Sequence, residues 1–249
     1  YTILDEDDAR SIVRNAADEM GLLGKHFPKP DVLMSVFSLA ANREKPVADT
    51  AMAWFQDAPV NPDDVVRIFK AYESRKKALN AMDFDDLLTN GLRLFREHKG
   101  VLEQYQDQFM YVLVDEYQDT NFIQAEWVDL LAAQRRNIMV VGDDFQSIYS
   151  WRGAEVQNIL SFRARYPDAR IFKLEENYRS TPGILEVANQ VIAGNPEQYQ
   201  KVLRATRPAD VKPVLVRLTD GSHQARYVVE KIRRLLESGV AAPGQIAVL

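Results

Sequence analysis

The stretch VLVDEYQDTN, at residues 112–121, places an apolar run directly before a group of acidic and polar side chains. Short continuous apolar runs that alternate with helical stretches are typical of a parallel sheet covered on both faces. In such a sheet, ligands bind beyond the carboxyl ends of the strands. We therefore expect a strand to end at Val114 and to place Asp115 and Glu116 at the ligand-binding edge.

The same pattern continues through the second half of the chain. We predict strands at YVLV (111–114), NIMVV (137–141), RIFKL (170–174), PVLVRL (213–218) and IAVL (246–249). Helical stretches such as IQAEWVDLLAA and ARYVVEKIRRLLES lie between them. Residues 1 to about 100 instead show helical spacing, as in DEDDARSIVRNAADEMGL, NPDDVVRIFKAYESRKKALNAM and FDDLLTNGLRLFREH, and contain no convincing strand. The sequence thus predicts an α/β fold with a helical first part.

Composition excludes several classes of protein. The 249 residues include no cysteine, which excludes disulfides, thiolate metal sites and cysteine nucleophiles and favours a cytoplasmic location. The three histidines are widely spaced, so we expect no histidine-rich metal site. No run of about 18 apolar residues is present, so we expect no membrane span. The net charge is −5, so a nucleic-acid partner would need a local basic or aromatic track. The chain begins without Met and stops inside a predicted strand, GQIAVL, so we expect a fragment of a longer protein.

Two predicted strands end in pairs of acids. Asp115 and Glu116 follow VLV, and Asp143 and Asp144 follow NIMVVG. Mg²⁺ binds carboxylates together with water and substrate phosphates, so Asp115 is a candidate ligand of Mg²⁺. Glu116 is then a candidate to orient and activate an attacking water. The alternative is that the polar residues only cap the next helix, because Asp, Thr and Asn at 119–121 are good N-cap types.

A second cluster, VVGDDFQSIYSWRGA, spans residues 140–154. The amide of Gln146 could sense a terminal phosphate or hold a water. Tyr149 and Trp151 lie two residues apart beside Arg152, an arrangement that offers a stacking surface for single-stranded nucleic acid. The alternative is that both aromatic residues belong to the core.

A third cluster, LEENYRSTPGIL, spans residues 174–185 and precedes a helix with Pro182 near its start. Arg179 could neutralise charge on a transferring phosphoryl group, and Tyr178 could stack on a base. The alternative is an ordinary surface arginine at a helix entry.

The three clusters together resemble the motifs of the UvrD/Rep family of superfamily-one DNA helicases. VLVDEYQDTN resembles the DExQDT motif of that family, VVGDDFQSIYSWRGA its GDxxQSIYxFRGA motif and LEENYRST its NYRS motif. YTILDEDDAR and MDFDDLL (82–88) resemble the helical 1B insertion and its return to the core, so the resemblance covers essentially the whole chain. One departure is Phe145, where the family often has an acid.

The resemblance implies a RecA-like parallel-sheet motor core of the P-loop NTPase type with a helical 1B insertion. It divides the chain into a helical 1B-like subdomain at 1–105, the later half of the RecA-like 1A domain at 106–182 and the start of the 2A domain at 183–249. The sequence contains no GxxxxGK[ST] phosphate-binding loop, which in this family lies upstream of the insertion. We therefore expect a partial core, and an isolated chain that neither hydrolyses ATP efficiently nor unwinds DNA.

The resemblance also implies ATP and Mg²⁺ as cofactors. Asp115 would bind Mg²⁺ and Glu116 would be the catalytic base. Gln146 would couple the γ-phosphate to DNA, Arg179 would contact the γ-phosphate, and Tyr178 would lie near the nucleotide base.

The implied partners are single-stranded DNA and single/double-strand junctions, with movement in the 3′-to-5′ direction. Tyr149, Trp151 and Arg152 would contact single-stranded DNA. Gln118 and Asp119 would support the nucleotide site from behind.

Two other functions remain open from the residues themselves. One is a nucleic-acid-binding module that has lost its phosphate-binding loop, and the other is a metal-dependent phosphohydrolase that uses the acids after both strands without ATP. Glu116, Gln146 and Arg179 favour the helicase over the module, since a pure binder does not need them. A phosphate-binding loop upstream in the reading frame would support the helicase, and a natural start near Tyr1 would support the module.

Overall fold

A computed structural model describes residues 1–24, 27–150, 153–208 and 212–248. The chain forms two compact units. The first contains Tyr1–Phe172 and Asn195–Gln200, and the second contains Lys173–Gly194 and Lys201–Leu249.

The first part of the first unit is helical. Its helices are α1 (Glu6–Glu19), α2 (Pro30–Asn42), α3 (Val47–Trp54), α4 (Pro62–Ala78), α5 (Phe84–Glu97) and α6 (Lys99–Gln108). The helical spacing predicted for α1 is confirmed, because Ala9, Val13 and Ala16 are buried. They join one apolar core with side chains of α2 and α4, including Leu33, Val36 and Ile68.

Short polar side chains fix where these helices begin. Asp5 accepts a hydrogen bond from the backbone N–H of Asp8 at the start of α1. Asn61 does the same for α4, where Pro62 occupies the first turn. Asp83 opens α5 in a reciprocal capping box. The helix starts are therefore written locally in the sequence.

Two short strands interrupt the helical part. β1 (Thr2–Ile3) pairs in parallel with β2 (Ala81–Met82). The prediction of a helical half without strands is therefore wrong. A pair only two residues long has no alternating pattern that a sequence could display.

The remainder of the first unit carries the candidate site. It contains β3 (Val112–Val114), α7 (Phe122–Ala132), β4 (Ile138–Val140), α8 (Gln157–Leu160) and α9 (Phe162–Arg165). β3 and β4 are parallel, with Leu113 opposite Met139. The predicted strands and their parallel pairing are confirmed here.

The two faces of this sheet differ. Val114, Ile138 and Val140 pack against a core that includes Tyr117, Ile159 and Phe162. On the other face Leu113 is 71% exposed and Met139 is 57% exposed. Within the part of the chain that the structure describes, the prediction of a sheet covered on both faces is wrong, because the packed elements lie on one face only.

The second unit contains β5 (Glu176–Asn177), α10 (Pro182–Ile192), β6 (Arg204–Ala205) and α11 (Gly221–Glu237), with β5 and β6 parallel. The strands predicted at 170–174 and 213–218 are wrong, and so is the one at 246–249 as far as residue 248; Leu249 lies outside the described residues. A strand needs a hydrogen-bonded neighbour, and each sheet in the described ranges has two short strands. Phe172 and Leu215 are more than 80% exposed, so these apolar runs are not packed between other elements.

No helix in the described ranges combines the length and the apolar character needed to cross a membrane.

Candidate functional site

A cavity of about 460 Å³ lies where β3 and β4 end. The loop after β3 lines it with Glu116, Gln118 and Asp119, and the loop after β4 with Phe145, Gln146, Ile148 and Tyr149. Two of the three sequence clusters therefore meet in one cavity, as the placement of acids at the ends of parallel strands predicts.

Glu116 has an unusual backbone. It adopts the left-handed conformation, with φ 50° and ψ 41°, which is strained for a residue with a side chain. Its N–H donates to Asp115 Oδ1 at 2.9 Å, and its carbonyl accepts from the N–H of Asp119 at 2.9 Å. The backbone N–H of Tyr117 donates to the carbonyl of Val141 at 2.9 Å, which ties this turn to the end of β4. The turn fixes the direction of the Glu116 side chain.

Gln118 connects the two loops. Its side chain is 1% exposed. Nε2 donates to Glu116 Oε2 at 2.8 Å and to Asp119 Oδ2 at 3.2 Å, and Oε1 accepts from the N–H of Asp143 at 2.9 Å. Gly142 leaves room for this contact, because a Cβ there would lie 2.6 Å from Gln118 Oε1.

The Asp119 carboxyl group lies in the turn after β3, near Glu116 and Gln118. Burial raises its pKa, and the nearby charge of Glu116 raises it further, while the hydrogen bond from Gln118 opposes the shift. Oδ1 of Asp119 is buried without a hydrogen-bond partner. A buried acceptor of this kind marks a place where a donor is expected.

The acids after β4 have local partners. Asp143 accepts from the N–H of Phe145 at 3.1 Å and from Gln146 Nε2 at 2.8 Å. Asp144 is buried, and its Oδ2 accepts from the N–H of Tyr199 at 2.8 Å. Among the described residues, no group of three or more His, Cys, Asp or Glu side chains is arranged to hold a metal ion.

Asp115 suits a different kind of metal site. It is exposed at the end of β3, and one of its oxygens accepts from the N–H of Glu116. Mg²⁺ often takes only one or two carboxylates and completes its shell with water and substrate phosphates. Asp115 thus fits an ion shared with a phosphate-bearing substrate.

The aromatic part of the site is described only in part. Tyr149 lines the cavity and is 40% exposed, whereas Trp151 and Arg152 lie outside the described residues. The loop closes through hydrogen bonds from the N–H of Gly153 to the carbonyl of Ser150 and from the N–H of Ala154 to the carbonyl of Tyr149. Gly153 has φ +85°, a conformation that glycine adopts without strain.

The third cluster lies in the second unit. Tyr178 is exposed and donates from its hydroxyl to Glu176 Oε2 at 2.8 Å. Arg179 is also exposed, and its backbone N–H donates to Asn177 Oδ1 at 3.0 Å. Asn177 also accepts from the N–H of Ser180 at 2.7 Å, which shapes the turn before α10. Tyr178 and Arg179 therefore belong to the second unit, at the turn that precedes α10.

Buried polar residues next to the site include one cap that the sequence indicated and several contacts that sequence reasoning missed. Asn121 caps α7 in a reciprocal box with Gln124, a signal that the spacing N-x-x-Q contains. Its Nδ2 also donates to Asn42 Oδ1 at 2.6 Å, a long-range contact without any local signal. Asn158 Nδ2 donates to the carbonyls of Thr120 and Asn121 at 3.0 and 3.2 Å. These contacts hold the loop after β3 in place.

A larger cavity, of about 640 Å³, lies in the helical part. Its polar lining includes Asp5, Asp31, Asp83 and Asp85, and burial raises the pKa of Asp85. It contains none of Glu116, Gln146 and Tyr149, which line the smaller cavity, so the smaller cavity is the candidate site.

Comparison with known proteins identifies the family of the chain. Residues 1–167 match the UvrD/REP helicase N-terminal domain, and residues 172–249 match the UvrD-like helicase C-terminal domain. The chain belongs to the UvrD/REP helicase family, as its motifs predicted.

Two similar proteins are helicases of staphylococci. Over 239 residues the chain is 38% identical to the ATP-dependent DNA helicase PcrA of Staphylococcus epidermidis and 37% identical to the ATP-dependent DNA helicase PcrA of Staphylococcus aureus. Each alignment covers 96% of this chain and 32% of the relative. The chain thus spans about a third of the length of these curated relatives.

Proposed function

We propose that this chain works within an ATP-dependent DNA helicase that couples ATP hydrolysis to movement along single-stranded DNA. The observation that carries the proposal is the meeting of Glu116, Gln146 and Tyr149 in one cavity at the ends of two parallel strands. A motor that moves along nucleic acid by hydrolysing a nucleotide needs a general base, a group that senses the terminal phosphate and a contact with the nucleic acid, and these three must be linked. This cavity holds a candidate for each.

On the nucleotide side, Glu116 is the group that accepts a proton from the water that attacks the γ-phosphorus of ATP. Gln118 holds one oxygen of that carboxylate, at 2.8 Å. Asp115 would hold Mg²⁺, which when bound neutralises charge on the phosphates. Gln146 lines the same cavity and would contact the γ-phosphate.

On the DNA side, Tyr149 offers its ring to a base, and we propose the same partner for Trp151 and Arg152, which follow it closely in the sequence. Only two residues lie between Gln146 and Tyr149. Movement of the loop on DNA binding would therefore reach Gln146, which is how DNA could stimulate hydrolysis.

The second unit contributes Tyr178 and Arg179, for which we propose contacts with the nucleotide base and the γ-phosphate. Both are exposed in their own unit, so a nucleotide can reach them. Movement in the 3′-to-5′ direction, binding at single/double-strand junctions and a RecA-like core with a 1B insertion, divided at 1–105, 106–182 and 183–249, belong to the same proposal.

Binding of single-stranded DNA tests the proposal first. A labelled oligothymidylate is titrated with the chain across a salt series and its fluorescence anisotropy is measured, with and without ATP. The Tyr149→Ala, Trp151→Ala double variant should bind roughly 10- to 100-fold more weakly, since stacking contributes about 1–3 kcal/mol per base. The salt dependence should stay unchanged, because neither residue is charged.

Tyr111→Ala is the matched control, because Tyr111 is an exposed aromatic residue of the same unit that does not line the cavity. We expect it to bind like the wild type, and we expect ATP to leave binding by the chain alone unchanged. Folded protein that binds no DNA, or a double variant that binds like Tyr111→Ala, would contradict the proposed DNA contact. A circular-dichroism melt of the same samples reports whether they are folded.

A further inference from the structure

We propose that Gln118 is a positioning residue that links the Glu116 carboxylate to the loop carrying Gln146 and Tyr149. The inference rests on the proposed function and assigns the connection between hydrolysis and DNA to one buried side chain.

The donor end of Gln118 acts on Glu116. Nε2 lies 2.8 Å from Glu116 Oε2. With that oxygen held, the carboxylate presents its second oxygen to the proton of a water. The left-handed backbone of Glu116 sets the direction of its Cα–Cβ bond, and the contact with Gln118 then orients the carboxylate itself.

The acceptor end of Gln118 acts on the second loop. Oε1 accepts from the N–H of Asp143 at 2.9 Å. The carboxylate of Asp143 in turn accepts from Gln146 Nε2 at 2.8 Å. Hydrogen bonds therefore connect the two loops, from Glu116 through Gln118 and Asp143 to Gln146.

An amide side chain suits the middle of this series of hydrogen bonds because it has a donor and an acceptor on the same planar group. An ionised carboxylate lacks the donor, and the thioether of Met lacks a donor and is only a weak acceptor. Gln118 is also enclosed. A Cβ on Gly142 would lie 2.6 Å from Gln118 Oε1 and 2.8 Å from Ile159 Cδ1.

Because Gln118 is enclosed, its hydrogen bonds respond to movement of the loop after β4. A shift of the loop after β4 moves the N–H of Asp143, and Gln118 has no room to form a new contact elsewhere. A base that stacks on Tyr149 would therefore change the position of the Glu116 carboxylate through Gln118.

The test compares hydrolysis of ATP with and without oligothymidylate in the full product of the reading frame, for the wild type, Gln118→Met and Gln118→Glu. For both variants we expect the DNA-stimulated kcat to fall at least about tenfold, a typical size for coupling between two sites. The KM for ATP and the Kd for DNA should stay within about twofold, since Gln118 is 1% exposed and we assign it no direct contact with either ligand.

Gln106→Met is the matched control. Gln106 is a second buried amide, and its Nε2 donates to the carbonyl of Leu130 at 2.7 Å outside the cavity. Its loss should lower the melting temperature but leave the ratio of stimulated to basal kcat unchanged. A merely structural role for Gln118 would give the same result as Gln106→Met and would overturn the inference.

If the variants do not fold, a measurement on the wild-type protein tests the inference instead. With ¹⁵N-labelled glutamine, the side-chain amide signal of Gln118 should shift when oligothymidylate binds, and that of Gln106 should not. An unchanged Gln118 signal in the DNA-bound protein would overturn the inference. A wild type whose hydrolysis DNA does not stimulate would instead overturn the proposed function, and the link with it.

Discussion

Asn121 donates its side-chain amide to Asn42 at a distance of 2.6 Å, although 79 positions separate the two residues and both are buried. Asn42 is the last residue of α2, and Asn121 caps α7 directly after the acidic turn. Asn42 also donates to Asp85 at 3.0 Å, and its Cβ lies 3.4 Å from the position of a Cβ on Gly153. Asn42 therefore joins the helical part of the first unit to Asn121 in the loop after β3, and it lies beside Gly153 in the loop after β4.

Asn121→Ala should lower the free energy of unfolding by about 2–4 kcal/mol. The change removes an N-cap, which is worth about 0.5–2 kcal/mol, and leaves the buried Asn42 Oδ1 without its donor, which costs about 1–3 kcal/mol more. Urea unfolding followed by circular dichroism measures the loss.

Asn61→Ala is the control for the cap alone, because Asn61 caps α4 at an exposed position. We expect that variant to lose about 1 kcal/mol. Equal losses in the two variants would mean that the contact with Asn42 does not stabilise the fold.

Lys76 is a buried cation that pairs with three partly buried acids. It is 4% exposed, and its Nζ lies within 2.8 Å of carboxylate oxygens of Glu73, Asp83 and Asp86. Lys76→Met leaves these carboxylates without their cation, and we expect a loss of about 3–5 kcal/mol at pH 7. Lys77→Met, at the exposed neighbouring position, should lose far less.

The same cluster predicts a dependence on pH. Burial pushes the pKa of Asp83 upward, but hydrogen bonds from Lys76 and Tyr72 outweigh this and hold it below its ordinary value. A depressed pKa in the folded state stabilises the protein above the unfolded pKa, at about 4, and this contribution is lost as the pH falls below that value. Urea unfolding at pH 7 and at pH 3 should therefore show the gap between the wild type and Lys76→Met narrowing in acid. A gap that is constant or widens would contradict this interpretation.

The sequence predicted those parts of the structure that depend on local pattern. The spacing of Ala9, Val13 and Ala16 located α1, and the apolar runs before Asp115 and Gly142 located β3 and β4. Parallel strands end at one edge, so the shared cavity also followed from the sequence.

Features that depend on distant partners were not predictable. The run at 213–218 has the composition of a strand, but in this chain Val214 and Leu215 are exposed, because a strand forms only where a neighbouring backbone is available. Asn42 gave no signal, since its contact with Asn121 spans two elements that no periodic pattern connects. The position of Glu116 was predicted, but its left-handed backbone was not.

Arg165 connects α9 to Tyr117 and Asn158. It donates to the hydroxyl of the buried Tyr117 at 2.9 Å and to the carbonyl of Asn158 at 3.0 Å, and its Nε forms an ion pair with Asp129 Oδ2 at 3.1 Å. Arg165→Met should lower the free energy of unfolding by about 2–3 kcal/mol, because the hydroxyl loses a charged donor and the carboxylate loses its cation. Arg163→Met, on the exposed side of α9, should change it by less than about 0.5 kcal/mol. Similar values for the two variants would show that the Arg165 contacts are not stabilising.

Glu116→Gln tests the proposed base directly in the full product of the reading frame. Glutamine keeps the size of the side chain and can still accept the hydrogen bond from Gln118 Nε2, but it cannot take a proton from water. We expect the DNA-stimulated kcat for ATP hydrolysis to fall by about 10²–10⁴-fold, the usual contribution of a general base, with the affinity for single-stranded DNA unchanged. Glu103→Gln, at an exposed carboxylate on α6, should hydrolyse ATP like the wild type. If Glu116→Gln retains more than a tenth of the wild-type kcat, as an order of magnitude, Glu116 is not the base, and its strained backbone must serve some other purpose than aiming a proton acceptor at the attacking water.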